Sequence, residues 1–236
     1  MKAIIVIPTL NEEKSIPVLI DKLSIFLKTF AVLFVDDNSS DKTQSRIKKS
    51  KKKYKNINYV FKTNNFGIGN AIKDGIKFAY KHEYDICITM DADGTHNPNK
   101  IYSMLKIMKS TECDIISTNR FAIKNSIDDW SFYRIFLTKF RYYLVRILLG
   151  TKLDSSGNFR IYNLKKIKKK HLFVSKNNSY FFLIESLFYL EKFYYKIYEV
   201  PIKLHPRTFD HSKMKIGHIF MSLYYLIKLR LNIFKY

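Results

Sequence analysis

Ile86-Cys87-Ile88-Thr89-Met90-Asp91-Ala92-Asp93 decides the fold of this chain. An apolar, β-branched run ending abruptly in polar residues is the pattern of a buried strand that reaches a sheet edge. In an open α/β sheet the ligand crevice lies outside the carboxyl ends of the strands. Two carboxylates one residue apart at that position form a small hard-oxygen site. Such a site suits Mg²⁺ or Mn²⁺, which use one or two carboxylates together with substrate phosphates and water. Asp also favours strand ends and turns for local reasons, so the rest of the chain has to support the metal reading.

Working outward, the first half repeats the same alternation. Ala3–Ile7, Val32–Val35, Ile57–Phe61 and Ile115–Ser117 read as further strands, and Ser15–Lys28, Asp41–Lys51, Ile68–Lys81 and Pro98–Lys109 as helices. The alternation predicts a mainly parallel sheet flanked by helices. The polar segments after the strands, Thr9–Glu13, Asp36–Asp41, Thr63–Gly67 and Asp91–His96, then gather on one rim. In the second half, Ser131–Leu149 reads as a long aromatic and basic helix closed by Gly150. Asp154–Tyr162 reads as a loop and short strand, Tyr180–Phe193 as a helix, Lys196–Ile202 as a strand and Lys215–Phe234 as a final apolar helix with scattered cations.

Composition narrows the classes. The chain has 236 residues, 42 Lys+Arg against 20 Asp+Glu, and a formal charge of +22. That field favours polyanions, anionic lipid surfaces or phosphorylated substrates. No nucleic-acid motif is present and the aromatics lie in apolar helical runs, so nucleic acid is not an expected partner. Cys87 and Cys113 suit neither a disulfide framework nor zinc. Gly67-Ile68-Gly69 lacks the third glycine of a dinucleotide fingerprint and follows the third strand. No P-loop occurs. No secretory signal or spanning run is read, so the expectation is a cytoplasmic chain with peripheral membrane attachment.

The rim supplies candidate ligands. Glu12 and Asp37 can accept hydrogen bonds from a base or ribose. Arg134 and Thr138, four apart on one helix face, form a candidate phosphate clamp, with Arg120 after the fifth strand. Arg207 and Lys213 flank a short polar loop suited to a diphosphate.

Taken in order, Ile7-Pro8-Thr9-Leu10-Asn11-Glu12-Glu13, Val35-Asp36-Asp37-Asn38-Ser39-Ser40-Asp41, Gly67-Ile68-Gly69-Asn70-Ala71 and Asp91-Ala92-Asp93-Gly94-Thr95-His96-Asn97-Pro98 resemble a family 2 glycosyltransferase. More narrowly they are similar to its dolichyl-phosphate (polyprenyl-phosphate) mannosyltransferase branch. That likeness continues through Asn119-Arg120-Phe121, Trp130-x3-Arg134-x3-Thr138, Ser156-Gly157-x-Phe159-Arg160-x-Tyr162, Glu185, Glu199-Val200-Pro201-Ile202 and Arg207-x4-Ser212-Lys213.

The resemblance implies a GT-A fold in residues 1–214, while the apolar and basic composition of 215–236 reads as an amphipathic helix for a membrane interface or a partner contact. The resemblance also implies nucleoside contacts at Pro8, Leu10, Glu12, Val35 and Asp37, and a metal–diphosphate site at Asp91, Ala92 and Asp93. Arg120, Arg207 and Lys213 match cations on the donor diphosphate or acceptor phosphate, and Arg120, Arg134 and Thr138 the acceptor-phosphate clamp. Asp91, Asp93 and Arg120 are the catalytic candidates. Leu10 stands where Tyr is usual, and Gly94-Thr95 where Leu-Ser or Leu-Gln is. The expected reaction is inverting, Mg²⁺- or Mn²⁺-dependent transfer of one sugar from GDP-mannose or a UDP-sugar to a polyprenyl phosphate. An anionic membrane surface and an integral-membrane subunit are the expected partners. The rival expectation is a hydroxyl acceptor, with Asp128, Asp129 or Asp154 as base.

Overall fold

The computed structural model describes residues 1–127, 130–207, 209 and 216–233. Strands β1 (Ala3–Thr9), β2 (Ala31–Asp36), β3 (Ile57–Phe61) and β4 (Ile86–Thr89) are followed by β5 (Ile115–Asn119), β6 (Arg160–Asn163) and β7 (Ile197–Pro201). They form one sheet in the order β3-β2-β1-β4-β6-β5-β7. All pairings are parallel except those of β6, which runs antiparallel to both β4 and β5. Six strands therefore end on one edge, and β6 begins there, because Arg160 is in register with Thr89 and Ser117.

Helices α1 (Ser15–Leu23), α2 (Thr43–Lys53), α3 (Ile68–Lys81) and α4 (Lys100–Thr111) are the crossovers of the first half. The helix expected over Ser15–Lys28 breaks after Leu23 and closes as a 3-10 turn at Phe26–Lys28, where Thr29 N–H bonds Phe26 O. Asp41 precedes α2, and its Oδ1 accepts from Thr43 N–H at 2.9 Å, so it anchors the helix start from outside the helix. Helices α5 (Phe132–Leu149), α6 (Lys169–Leu172), α7 (Phe181–Lys192) and α8 (Ile216–Ile233) follow.

The strict alternation of β1 splits the core. Ile5 and Ile7 pack with Ile16, Leu19, Ile101 and Met104 on one face, and Ile4 and Val6 with Ala71, Ile72 and Ile76 on the other. A Cβ on Gly75 would stand 2.1 Å from Val6 Cγ1, so α3 approaches β1 as closely as only glycine allows. Val145 and Leu149 of α5, Phe181, Ile184 and Phe188 of α7, and Leu226 and Leu229 of α8 make a third cluster. That cluster holds α8 against the rest of the molecule.

Candidate active site

The strand ends open onto two adjoining cavities. The larger, about 360 Å³, is lined by Pro8 of β1, Leu10 and Glu12 after it, Asp37 after β2, and Asp91-Ala92-Asp93 after β4. Arg207 also reaches it. The smaller, about 90 Å³, is lined by Arg120, Trp130, Arg134 and Asn158. Ile68, Asp91, Asp93, Tyr180 and Arg207 belong to both and form the seam between them.

The two acidic residues after β2 divide the work. Asp36 is saturated: it accepts from Thr9 Oγ1, Ser39 Oγ, Ser39 N–H and Gln44 Nε2. Asp37 uses one oxygen for Gly67 N–H at 2.7 Å, while its buried Oδ1 makes no hydrogen bond and stands 3.7 Å from Lys62 Nζ. A buried acceptor on a cavity wall suits a hydroxyl or amine of a ligand. Val35, expected in the same subsite, is instead fully buried with Leu33 in the core beneath α3 and does not line the cavity. Leu10 and Phe66 border the cavity and are exposed, so they give it an apolar margin.

The opposite wall was not legible in the sequence. Asn178, Ser179 and Tyr180, at the start of α7, face the β1 and β4 loops, and Met221 and Ser222 of α8 extend the wall. The Asn178 carbonyl accepts from Gly69 N–H at 2.9 Å. Gly67, at φ 114°, has no room for a Cβ, which would stand 2.3 Å from that same carbonyl oxygen. The glycines in Gly67-Ile68-Gly69 thus admit the neighbouring chain rather than a pyrophosphate.

At the seam each carboxylate is held by its neighbours. Asp93 Oδ1 accepts from Thr95 N–H at 3.0 Å and Thr95 Oγ1 at 2.7 Å, and its Oδ2 pairs with Arg207 Nε at 3.0 Å. Asp91 Oδ1 accepts from Asn158 Nδ2 at 2.9 Å. His96, stacked on Phe159, accepts the Asp91 backbone N–H on Nδ1 at 3.1 Å. No cluster of three or more His, Cys, Asp or Glu occurs among the described residues. The donor set is thus two carboxylates flanked by guanidinium, which fits a Mg²⁺- or Mn²⁺-type ion completed by phosphate oxygens and water. Asp91 Oδ2 and the Asp93 carboxylate would hold it.

Cations converge on the smaller cavity. Arg120 donates from Nε to Asp154 Oδ2 at 2.7 Å and from its backbone N–H at 3.2 Å. Burial pushes the Asp154 carboxyl up, but the Arg120 charge and these hydrogen bonds outweigh it and hold the group below the usual carboxylate range. Glu199 supports the pair, accepting from Asp154 N–H at 2.7 Å and from Asn119 Nδ2 at 2.8 Å. Burial raises the Glu199 carboxyl above its ordinary range.

The Arg134 guanidinium lies 3.6 Å from the centre of the Trp130 ring. Burial first, then the charges of Arg207 and Arg120, lower its affinity for its proton. Thr138, one turn along α5, is buried and lines neither cavity. Asp128, Asp129 and Lys213 lie outside the described residues.

A seven-stranded, mostly parallel sheet with this carboxylate seam at its rim is the GT-A architecture of glycosyltransferases. The chain belongs to glycosyl transferase family 2, whose family model matches residues 4–170. It is 27% identical to an undecaprenyl-phosphate mannosyltransferase from Micrococcus luteus, over 92% of this chain and 89% of that protein. It is 24% identical to a polyprenol monophosphomannose synthase from Mycolicibacterium smegmatis, over 92% of this chain and 83% of the relative. Its fold resembles glucosyl-3-phosphoglycerate synthase from Mycobacterium tuberculosis, solved with Mn²⁺, UDP and glucosyl-3-phosphoglycerate. There the TM-score is 0.68 at 17% identity, covering 97% of this chain and 79% of that one.

Proposed function

We propose that this glycosyltransferase moves one sugar from a nucleotide sugar, GDP-mannose first and UDP-glucose second, to a polyprenyl phosphate, with inversion. The larger cavity takes the nucleoside between Leu10, Phe66 and Asp37, and the smaller takes the sugar and the acceptor phosphate. One observation carries the reading. Arg120, Arg134 and Arg207 meet beside Asp91 and Asp93, and among the described residues no other carboxylate lines that cavity. Asp154, a candidate base for a hydroxyl acceptor, is committed to Arg120. With no uncommitted carboxylate beyond Asp91 and Asp93 lining this cavity among the described residues, an acceptor that brings its own anionic oxygen suits it. A phosphate monoester does so near neutral pH, its second pKa being about 6.

The chemistry balances without a protein base. An acceptor phosphate oxygen forms a bond to the anomeric carbon as the bond from that carbon to the donor diphosphate breaks. The departing diphosphate takes the electron pair, and in-line attack inverts the centre. Arg120 and Arg134 hold the nucleophile, and Arg207 faces the leaving group. A divalent cation at Asp91 and Asp93, when bound, supplies further charge stabilisation for that diphosphate. The names of the two mannosyltransferase relatives support the polyprenyl-phosphate acceptor.

The surface suits a lipid-borne acceptor. No described helix is long and apolar enough to cross a membrane. Yet Phe132, Phe136, Phe140, Tyr143 and Ile147 are exposed at helical spacing along α5, the helix whose Arg134 lines the smaller cavity. Tyr224, Ile227 and Leu231 are exposed on α8. Apolar helix faces on a strongly basic chain fit the interface of an anionic bilayer. On this reading residues 1–214 are the catalytic unit, 215–236 add to its membrane-facing side, and the protein works peripherally on the cytosolic face.

The test mixes purified protein with undecaprenyl phosphate, Mg²⁺ or Mn²⁺, and labelled GDP-mannose or UDP-glucose, each donor separately. Label in the organic phase from one donor, lost with EDTA, is the expected result. Metal-dependent donor turnover with label only on hydroxyl acceptors would overturn the acceptor assignment.

A further inference from the structure

Asn158 sits where the β6 loop meets the carboxylate seam. Its backbone carbonyl accepts from Thr89 Oγ1 at 2.6 Å, which ties it to the end of β4. Its side chain is 2% exposed and lines the smaller cavity. Asp91 fixes the orientation of the amide. A carboxylate oxygen only accepts, so the atom 2.9 Å from Asp91 Oδ1 is Nδ2, and Oδ1 points away from Asp91. That Oδ1 is buried and has no hydrogen-bond partner.

Native structures seldom leave a buried amide oxygen unpaired, because it forfeits its water without a replacement. The loop is rigid around it. Phe159 packs on His96, Arg160 donates from Nη2 to the carbonyls of Ser155 and Leu183, and a Cβ on Gly157 would meet Arg120 Nη2 at 3.1 Å. A hydroxyl of a ligand in the adjoining cavity is a donor that could pair with it.

We propose that Asn158 is a sugar-specificity residue: its Nδ2 holds Asp91 while its Oδ1 accepts a hydrogen bond from one hydroxyl of the donor sugar. Place and chemistry select a sugar hydroxyl. The cavity is bounded by Asp91 and Asp93 on the diphosphate side and by Arg120 and Arg134 on the acceptor side, so the group between them is the transferred sugar. A phosphate oxygen in its ionised form has no hydrogen to give to Oδ1, whereas a hydroxyl does. This assignment rests on the donor reading above.

The experiment is a cycle between protein and donor. Wild type and Asn158→Ala are assayed with GDP-mannose and its 2-, 3-, 4- and 6-deoxy analogues, and in parallel with UDP-glucose and its deoxy set. Binding of GDP and of UDP with Mn²⁺ is measured by calorimetry on both proteins. In wild type, one deoxy donor should lose about tenfold or more in kcat/KM, the effect of a hydrogen bond whose buried partner is left unpaired. In Asn158→Ala the parent donor should lose a similar factor, and that one deoxy donor should lose almost nothing further.

Asn158→Asp keeps an oxygen acceptor but sets its second oxygen against Asp91, which slows turnover. It should retain the discrimination against that donor even where turnover is slow, and it serves if the alanine variant does not fold. Equal losses on every deoxy donor in wild type and variant would overturn the assignment while nucleotide binding and transfer persist. Absence of both GDP and UDP binding in wild type would instead overturn the donor reading and this inference with it.

Discussion

Asp154→Asn tests whether the Arg120–Asp154 pair is the strut of the acceptor side. The Asp154 side chain is 2% exposed and that of Arg120 is 11% exposed, with 2.7 Å between Nε and Oδ2. Removing one partner of a buried pair costs about 3–5 kcal/mol, because the other charge stays buried without compensation. An asparagine keeps one oxygen able to accept from Arg120, and Arg120 lines a cavity and is partly exposed. The loss should therefore fall at the lower end, about 3 kcal/mol. For a chain of this size that lowers Tm by about 6–12 °C. Urea unfolding followed by circular dichroism at neutral pH gives the number directly.

The pH dependence adds a second arm. Asp154 is held below its ordinary value of 3.8, so its ionised form is favoured in the folded state. Its contribution is complete above that value and is lost as pH falls through the depressed folded-state value. The gap in stability between wild type and Asp154→Asn should stay constant from pH 8 to about pH 5 and close on further acidification. A loss under about 1 kcal/mol at neutral pH, or a gap that widens in acid, would show that Arg120 is not held by this charge.

Other substitutions separate the remaining roles. Asp93→Asn should cut turnover by about a hundredfold or more in a protein that still folds, with a lowered Tm because Arg207 loses its buried partner; near-normal turnover with either metal would remove Asp93 from the metal site. Arg134→Ala should raise KM for undecaprenyl phosphate about tenfold or more, with the nucleotide-sugar KM nearly unchanged, and equal rises in both would take Arg134 out of the acceptor clamp. Val35→Ala deletes buried methyl groups from the core under α3, so unfolding free energy should drop by about 2 kcal/mol with GDP affinity unaltered; a selective loss of GDP binding would return Val35 to the nucleoside site.

How much of this was legible in sequence depended on whether the signal was local. Strand ends were, since Met90-Asp91 and Val35-Asp36 each switch from apolar to polar within one step. Their convergence on one rim follows from parallel crossovers alone. Asp91, Asp93 and Asp37 could be singled out because strand-end carboxylates advertise themselves, and all three line the larger cavity. Val35 was misplaced by proximity: it sits two residues before Asp37 in the chain, yet its side chain belongs to the core. The Asn178–Tyr180 wall and the contribution of α8 come from segments remote in sequence, and no local pattern links them to Gly67. The α5 stripe was hidden as well. Phe136 and Ile135 are equally apolar on paper, and only packing puts the first outside and the second against the core.

The strand that departs from the parallel pattern is the one that completes the site. Had β6 run with its neighbours, the Asp154–Phe159 loop would lie at the far edge, some 10–15 Å away for a strand of four residues at about 3.3 Å each. Reversed, it delivers Asp154 to Arg120 and Asn158 to Asp91 in a single pass. The reversal places Arg160 in the middle of the sheet with no exposure. A guanidinium is tolerable there because the carbonyls of Ser155 and Leu183 accept from it. Those two carbonyls belong to the loop that carries Asn158 and to the helix that begins just after Tyr180. Burying Arg160 therefore fixes the position of both walls of the smaller cavity relative to β4, which is why a charged residue in a central strand belongs to the logic of this site.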